Sequence, residues 1–383
     1  MFKKNKQKKD ISDEAIRFDD LSSLDKHVKD KQIIVLGESS HGINDYYRTK
    51  INIIKYLHEV HNFSHVIFEN GFLESSLGTE VFNDTEIDQF IKEFKLDIYH
   101  NEEMLEFYKQ NWVKRLRFWG MDAQPVKYSE KFMNWVISIA PWDIAKKVIE
   151  AEEMFFSLES ENDGKRKKSA EDKEKQKHCE FLYEELINLL RSQSNEFSVD
   201  QLHLNILING FKNRIEWLQL INLGGIKGGS KRGELMFNNV NWLKENIILD
   251  EKIIIWAHNY HIRKSQTTSS KLLNIRNLGQ YLNGKFKNNI YTIGFYAIDG
   301  NYSNLLREDN EIKITNNKHL ERQVENIVGG NTFLALNNAN CSLNKRWWLL
   351  ESGLKNQLPM SINPYNHYDA LIILKNVKKP KYF

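Results

Sequence analysis

Seven short apolar runs punctuate the chain: Gln32–Leu36, His65–Phe68, Leu116–Gly120, Lys252–Ala257, Ile290–Phe295, Thr332–Leu336 and Ala370–Leu374. Their wealth of Ile, Val, Leu and Phe, bounded mostly by polar residues or glycine, predicts buried strands. Between the first two, Tyr47, Ile51, Ile54 and Leu57 recur at steps of three or four, so Asp45–His61 reads as a helix. Strand, helix, strand in that order predicts a parallel crossover unit. The middle of the chain differs. From Ser129 to Arg191 strand signals vanish, and Glu159–Lys177 is almost wholly polar, a solvated loop or the exposed tip of a helical hairpin. Val199–Asn222, with Leu202, Ile206, Ile208, Ile215, Leu218 and Ile221, returns to helical spacing. The expected fold class is α/β: a central, largely parallel sheet flanked by helices, with a helical insertion covering the rim at the strands' C-terminal ends. The expected organisation is a basic flexible tail at 1–20, an α/β core from 21–124 and 247–383, and the insertion at 125–246.

Composition narrows the function classes. At 383 residues the chain can bury a substantial core, and 41% hydrophobic with 27% charged residues is ordinary for a globular protein. A net charge of +3 gives no case for nucleic acid or a membrane surface as partner. No apolar stretch approaches the ~20 residues of a membrane span. The basic start, Met1–Asp10, is followed by no apolar segment of the signal-peptide kind, so it reads as a solvated tail. Two cysteines, Cys179 and Cys341, form neither a disulfide framework nor a zinc motif, and a reducing, cytoplasmic setting is the simplest inference.

The chemistry gathers at strand ends. Gly37-Glu38-Ser39-Ser40-His41-Gly42 follows the first strand directly, and ligands of open α/β sheets bind just past the carboxyl ends of parallel strands. A Glu and a His three apart there fit a base and its orienting partner, or two ligands of a metal. Glu69, Asp122 and the pair His258 and His261 close three further strands. Taken singly, each has an ordinary structural explanation, as a cap, a surface charge or a hydrogen-bonded core histidine. Together, on parallel neighbours, they would share one rim and suit hydrolysis. A histidine can take a proton from water near neutral pH while a carboxylate fixes its tautomer, and a second histidine can steady an oxyanion. His41, His258, His261 and Glu69 would equally suit a divalent ion. The Gly37–Gly42 segment is not a nucleophile elbow, since its second glycine comes too late, which leaves Ser39 and Ser40 a minor alternative. Gly224–Ser230 lacks Walker A spacing and reads as a mobile loop near the pocket. Trp347, Trp348 and Tyr365 read as core or pocket wall.

In these motifs the chain resembles the erythromycin esterase family. The family's opening Gly-Glu-x-x-His is matched by Gly37, Glu38 and His41, and its strand-end glutamate by Glu69. Its Gly-x-Asp segment is matched by Gly120-Met121-Asp122, and its two-histidine box by Ala257-His258-Asn259-Tyr260-His261-Ile262. Arg232, Met236 and Asn239 match the family's Met-Asn helix; Leu278-Gly279 and Ile293-Gly294-Phe295 match later pieces. The matches run in order from Val35 to Phe295. The resemblance implies His41 as general base, with Glu38, Glu69, His258 and His261 orienting it and stabilising charge, and Lys50, Asp122, Arg232 and Asn259 at the substrate. It further implies a macrolide lactone as substrate, antibiotic resistance as the setting, and no essential metal or other cofactor. Two departures stand out: Lys50 occupies the place of an active-site arginine, and Gly233 that of an aspartate. Two other readings use the same residues, a metal- or haem-binding protein and a hydrolase of another ester in surface-polysaccharide metabolism.

Overall fold

The structure, a computed structural model, describes residues 10–82, 86–160, 169–336, 341, 343–352 and 356–383. All seven apolar runs are strands. In chain order the strands are β1 (Ala15–Arg17), β2 (Ile33–Leu36), β3 (Phe63–Gly71), β4 (Arg117–Asp122), β5 (Lys252–Trp256), β6 (Ile290–Ala297), β7 (Asp299–Ser303), β8 (Asp309–Lys313), β9 (Thr332–Ala335), β10 (Trp347–Ser352), β11 (Gln357–Ile362) and β12 (Ala370–Leu374). Among the described residues, eight form one sheet in the order β1-β9-β12-β6-β2-β5-β3-β4, while β7–β8 and β10–β11 are separate antiparallel hairpins. This is an α/β fold with a mostly parallel sheet.

Two compact units divide the chain. The first comprises Met1–Ile67, His100–Arg117 and Asp250–Phe383; the second comprises Phe68–Tyr99 and Phe118–Leu249. Sequence expectation drew the boundaries elsewhere, near residues 125 and 246. Packing assigns Phe68–Tyr99 to the helical unit, a grouping that periodicity along the chain does not reveal. The expected tail also differs: Ala15–Arg17 pairs antiparallel with β9, Ala15 opposite Leu334. Residues 1–9, and with them most of the basic run, lie outside the described residues, as do 161–168 in the polar middle.

In the first unit, β2 is buried at all four positions and is bonded along both edges. It runs parallel to β5 and β6, with Leu36 opposite both Trp256 and Ile293. The chain leaves β2 by the helix Asn44–His61, whose buried side carries Tyr46, Tyr47, Lys50, Ile54 and Leu57. It later crosses from β5 to β6, on opposite sides of β2, the kind of crossing at whose strand ends open α/β sheets bind ligands.

The second unit is built on the helices Glu130–Ile139, Trp142–Ser160, Ala170–Ser192, Gln201–Leu223 and Gly225–Leu243. The glycine run expected to be a mobile loop is the corner and first turn of the last of these. Gly224 and Gly225 take φ of 59° and 44°, which lets the chain reverse, and helix resumes at once. A buried guanidinium joins three helices: Arg214 reaches both oxygens of Glu152 at 3.1 Å and Glu74 Oε1 at 2.9 Å, and Tyr183 donates to Glu152 at 2.8 Å. Among the described residues, no helix is long and apolar enough to cross a membrane.

Lys95, also in this unit, is fully buried, with Nζ 3.0 Å from Ser75 Oγ and 4.6 Å from the centre of the Phe68 ring. Burial drives its pKa from 10.5 down to about 7, and the charge of Glu74 opposes this only in part. The unfolded chain therefore holds the proton more tightly, so the stability of the wild type falls as pH drops from 10.5 towards 7 and stays low below that. Lys95→Met should raise the melting temperature at pH 7 and flatten its pH dependence up to about 10. Melts at several pH values check this; a variant less stable than wild type at neutral pH would contradict it.

Candidate active site

Glu38 and His41 sit on the turn that leaves β2, and close packing fixes that turn. The Gly37 N–H donates to Ile293 O at 2.8 Å, and a Cβ at Gly37 would fall 2.0 Å from Asn259 Oδ1. At Gly42 a Cβ would fall 1.8 Å from Ser303 O, while Ser303 N–H donates to Gly42 O at 2.9 Å. Only glycine fits at either position, so the histidine is held between two anchored points.

His41 Nδ1 lies 2.6 Å from Glu38 Oε1. Glu38 is 1% exposed; burial alone would raise its pKa, but the Lys50 ammonium, and after it His41, outweigh burial and bring it to about 2. An ionised carboxylate only accepts, so the proton of a neutral His41 sits on Nδ1 and the lone pair on Nε2. Glu38 Oε2 meanwhile accepts from Lys50 Nζ at 2.5 Å and from the Trp256 indole N–H at 3.2 Å. Lys50 stands 4.6 Å over the Trp256 ring, in the geometry of a cation–π contact.

His258 supplies the complementary tautomer. Its Nδ1 accepts the Tyr260 N–H at 3.0 Å, capping the short helix Asn259–Ile262, so its proton sits on Nε2. The His41 and His258 rings lie 4.9 Å apart, inclined at 51°. A base and a hydrogen-bond donor thus stand side by side at the carboxyl ends of two adjacent parallel strands. His261, on the same turn of helix, is 9% exposed and packs edge-on against Tyr260 at 5.1 Å.

Two of the expected substrate contacts, Lys50 and Asn259, are buried. Lys50 has no exposed surface, and its ammonium is bound to Glu38. Asn259 is likewise fully buried, its amide donating to Phe295 O at 3.0 Å and accepting from Phe295 N–H at 3.3 Å, so it stitches the histidine-bearing turn to β6. In the helical unit Asp122 is fully buried and takes a two-pronged grip from Arg232, with Nε at 3.0 Å and Nη2 at 2.5 Å from Oδ2. Glu69 is 5% exposed within β3 of the same unit. Among the described residues, no group of three or more His, Cys, Asp or Glu is placed to hold a metal ion. Trp256, whose indole reaches Glu38, went unrecognised in the sequence. Its position as the last residue of β5, opposite Leu36, was the available signal.

A family model described as Erythromycin esterase matches residues 58–377, a span that begins after the Gly37–Gly42 turn. The chain is 26% identical over 308 residues to YbfO of Bacillus subtilis strain 168, a hydrolase by name, across 73% of this chain and 68% of that one. It is 22% identical over 331 residues to erythromycin esterase type II of Escherichia coli, across 76% and 75% of the two chains. A mutant of the erythromycin esterase EreC, in its open conformation, superposes with a TM-score of 0.68 at 17% identity over 94% of each chain, a likeness of fold.

Proposed function

Because the chain belongs to the erythromycin esterase family, we propose that it is a carboxylic-ester hydrolase that opens a macrolide lactone with water activated by His41. The names of the family and of its relatives indicate a hydrolase, and the family suggests a small-molecule ester as substrate. The observation that carries the reading is the pairing of the His41 and His258 rings at 4.9 Å, with hydrogen bonds to Glu38 and to the Tyr260 N–H that assign them opposed tautomers. In this reading His41 Nε2 takes a proton from water as the oxygen adds to the acyl carbon. The Nε2–H of His258 faces the oxyanion. The proton on His41 then passes to the departing alkoxide, and the ring opens to a hydroxy acid. Glu38 holds the tautomer, and Lys50 holds Glu38. His261 carries the charge-stabilising role that the family pattern implies.

Incubation of the full chain with erythromycin and with simple lactones, followed by mass spectrometry, should reveal products heavier by one water. Absence of that product from every macrolide and every lactone would end the esterase reading.

A further inference from the structure

The helical unit holds a cavity of about 310 Å³ among the helices Ala170–Ser192, Gln201–Leu223 and Gly225–Leu243. That size lies within the range of small-ligand sites. Its lining is unusual for this chain: it carries two cations, Arg191 and Lys212, and no aspartate or glutamate. Both cations are exposed, and neither makes a hydrogen bond or ion pair among the described residues. The Lys212 charge acts on Glu216, one turn along and outside the lining.

Between them stand neutral amides with spare capacity. Asn209 is 8% exposed; its Nδ2 donates to Asn239 Oδ1 at 3.2 Å, while its side-chain oxygen accepts no hydrogen bond among the described residues. Asn205 accepts from Gln201 at 3.0 Å and keeps both of its own N–H groups. Asn246 rises from a π-helical turn, Lys244–Ile248, and donates to Trp242 O at 2.8 Å, leaving its side-chain oxygen open. Such turns recur at functional positions. Half-buried Trp242 forms an aromatic wall, held edge-on by Phe72 at 5.7 Å. Asn239, which accepts from Asn209, donates to Met121 O at 3.0 Å and so ties that amide pair to the end of β4.

Two cations in a lining that holds no carboxylate call for an oxyanion. Amides offering both donors and acceptors, beside a flat indole, call for a ring bearing hydroxyls. We propose that this cavity binds an acidic sugar, one carrying a carboxylate or a phosphate.

Isothermal titration of the full chain with glucuronate, glucose 6-phosphate, glucose and inorganic phosphate tests it. At least one acidic sugar should bind about tenfold more tightly than either glucose or inorganic phosphate, and the stronger of the two names the acidic group. The double variant Arg191→Gln with Lys212→Gln, both on exposed side chains, should keep the wild-type melting temperature and bind the acidic sugar no better than glucose. Equal binding of inorganic phosphate, no preference over glucose, or undiminished binding by the double variant would each overturn the proposal. None of these readouts depends on ester hydrolysis, so the cavity stands or falls apart from the proposed activity.

Discussion

Exchange of His41 for glutamine is expected to lower ester turnover by about 10²- to 10⁴-fold, the usual contribution of a positioned general base. The fold should survive. The His41 side chain is 15% exposed, and Glu38 keeps Lys50 and Trp256 as partners when the imidazole is gone. Glutamine also offers an amide N–H towards the same carboxylate. A signature separates lost base from lost structure: the residual rate of the variant should climb in proportion to hydroxide, because nothing in the protein now deprotonates water. Rate against pH, measured beside a melting curve, decides it. A variant with undiminished turnover at neutral pH would remove His41 from the reaction.

Lys50→Met should act through Glu38 and cost more in stability. Glu38 is buried, and the Lys50 ammonium is the first of the groups that outweigh burial and hold its pKa near 2. Removing one partner of a buried ion pair typically costs about 3–5 kcal/mol, since the other charge is left in a low-dielectric site. The carboxyl then takes a proton more easily and no longer dictates which nitrogen of His41 is protonated. In the wild type the depressed pKa contributes stability that is complete above the ordinary value of 4.5 and lost as pH falls towards 2. In the methionine variant that acid loss, and the acid limb of turnover, should move to higher pH. Lys50→Arg, which preserves the charge, should be the milder change. Urea unfolding and rate profiles from pH 4 to pH 8, at about the stability scale above, check both; a methionine variant matching the wild type would detach Lys50 from Glu38.

How much of this was legible along the chain depended on burial. Strands such as Ile33-Ile34-Val35-Leu36 and Ile253-Ile254-Ile255 were readable because parallel strands buried on both faces are written as unbroken apolar runs. The hairpins were not: β7 and β8 are Asp299-Gly300-Asn301-Tyr302-Ser303 and Asp309–Lys313, half solvated and polar, and β11 carries Pro359. The glycine run at 224–230 misled because packing overrode propensity: Gly228 is buried against Leu220 and is helical despite its weak intrinsic preference. At the site, the Glu38 and His41 spacing was visible as a motif, whereas the role of Lys50 was not. A clue was present, since Lys50 falls in the stripe of Tyr47, Ile54 and Leu57 that the helix turns inward. A lysine in such a stripe needs a buried anion, and the nearest carboxylate upstream is at Asp45, on a different face; only the folded strand brings Glu38 to it.

The register of β2 carries a consequence for biogenesis. Val35 is flanked by Ile255 and Thr292, more than two hundred positions downstream. A nascent chain therefore exposes the Gly37–His41 turn on the ribosome, without its neighbours, until nearly the last quarter of translation. Contacts of such long sequence separation slow folding. Truncated products ending before β6 should therefore be inert, and chaperone demand should peak while that single apolar strand waits for its flanks.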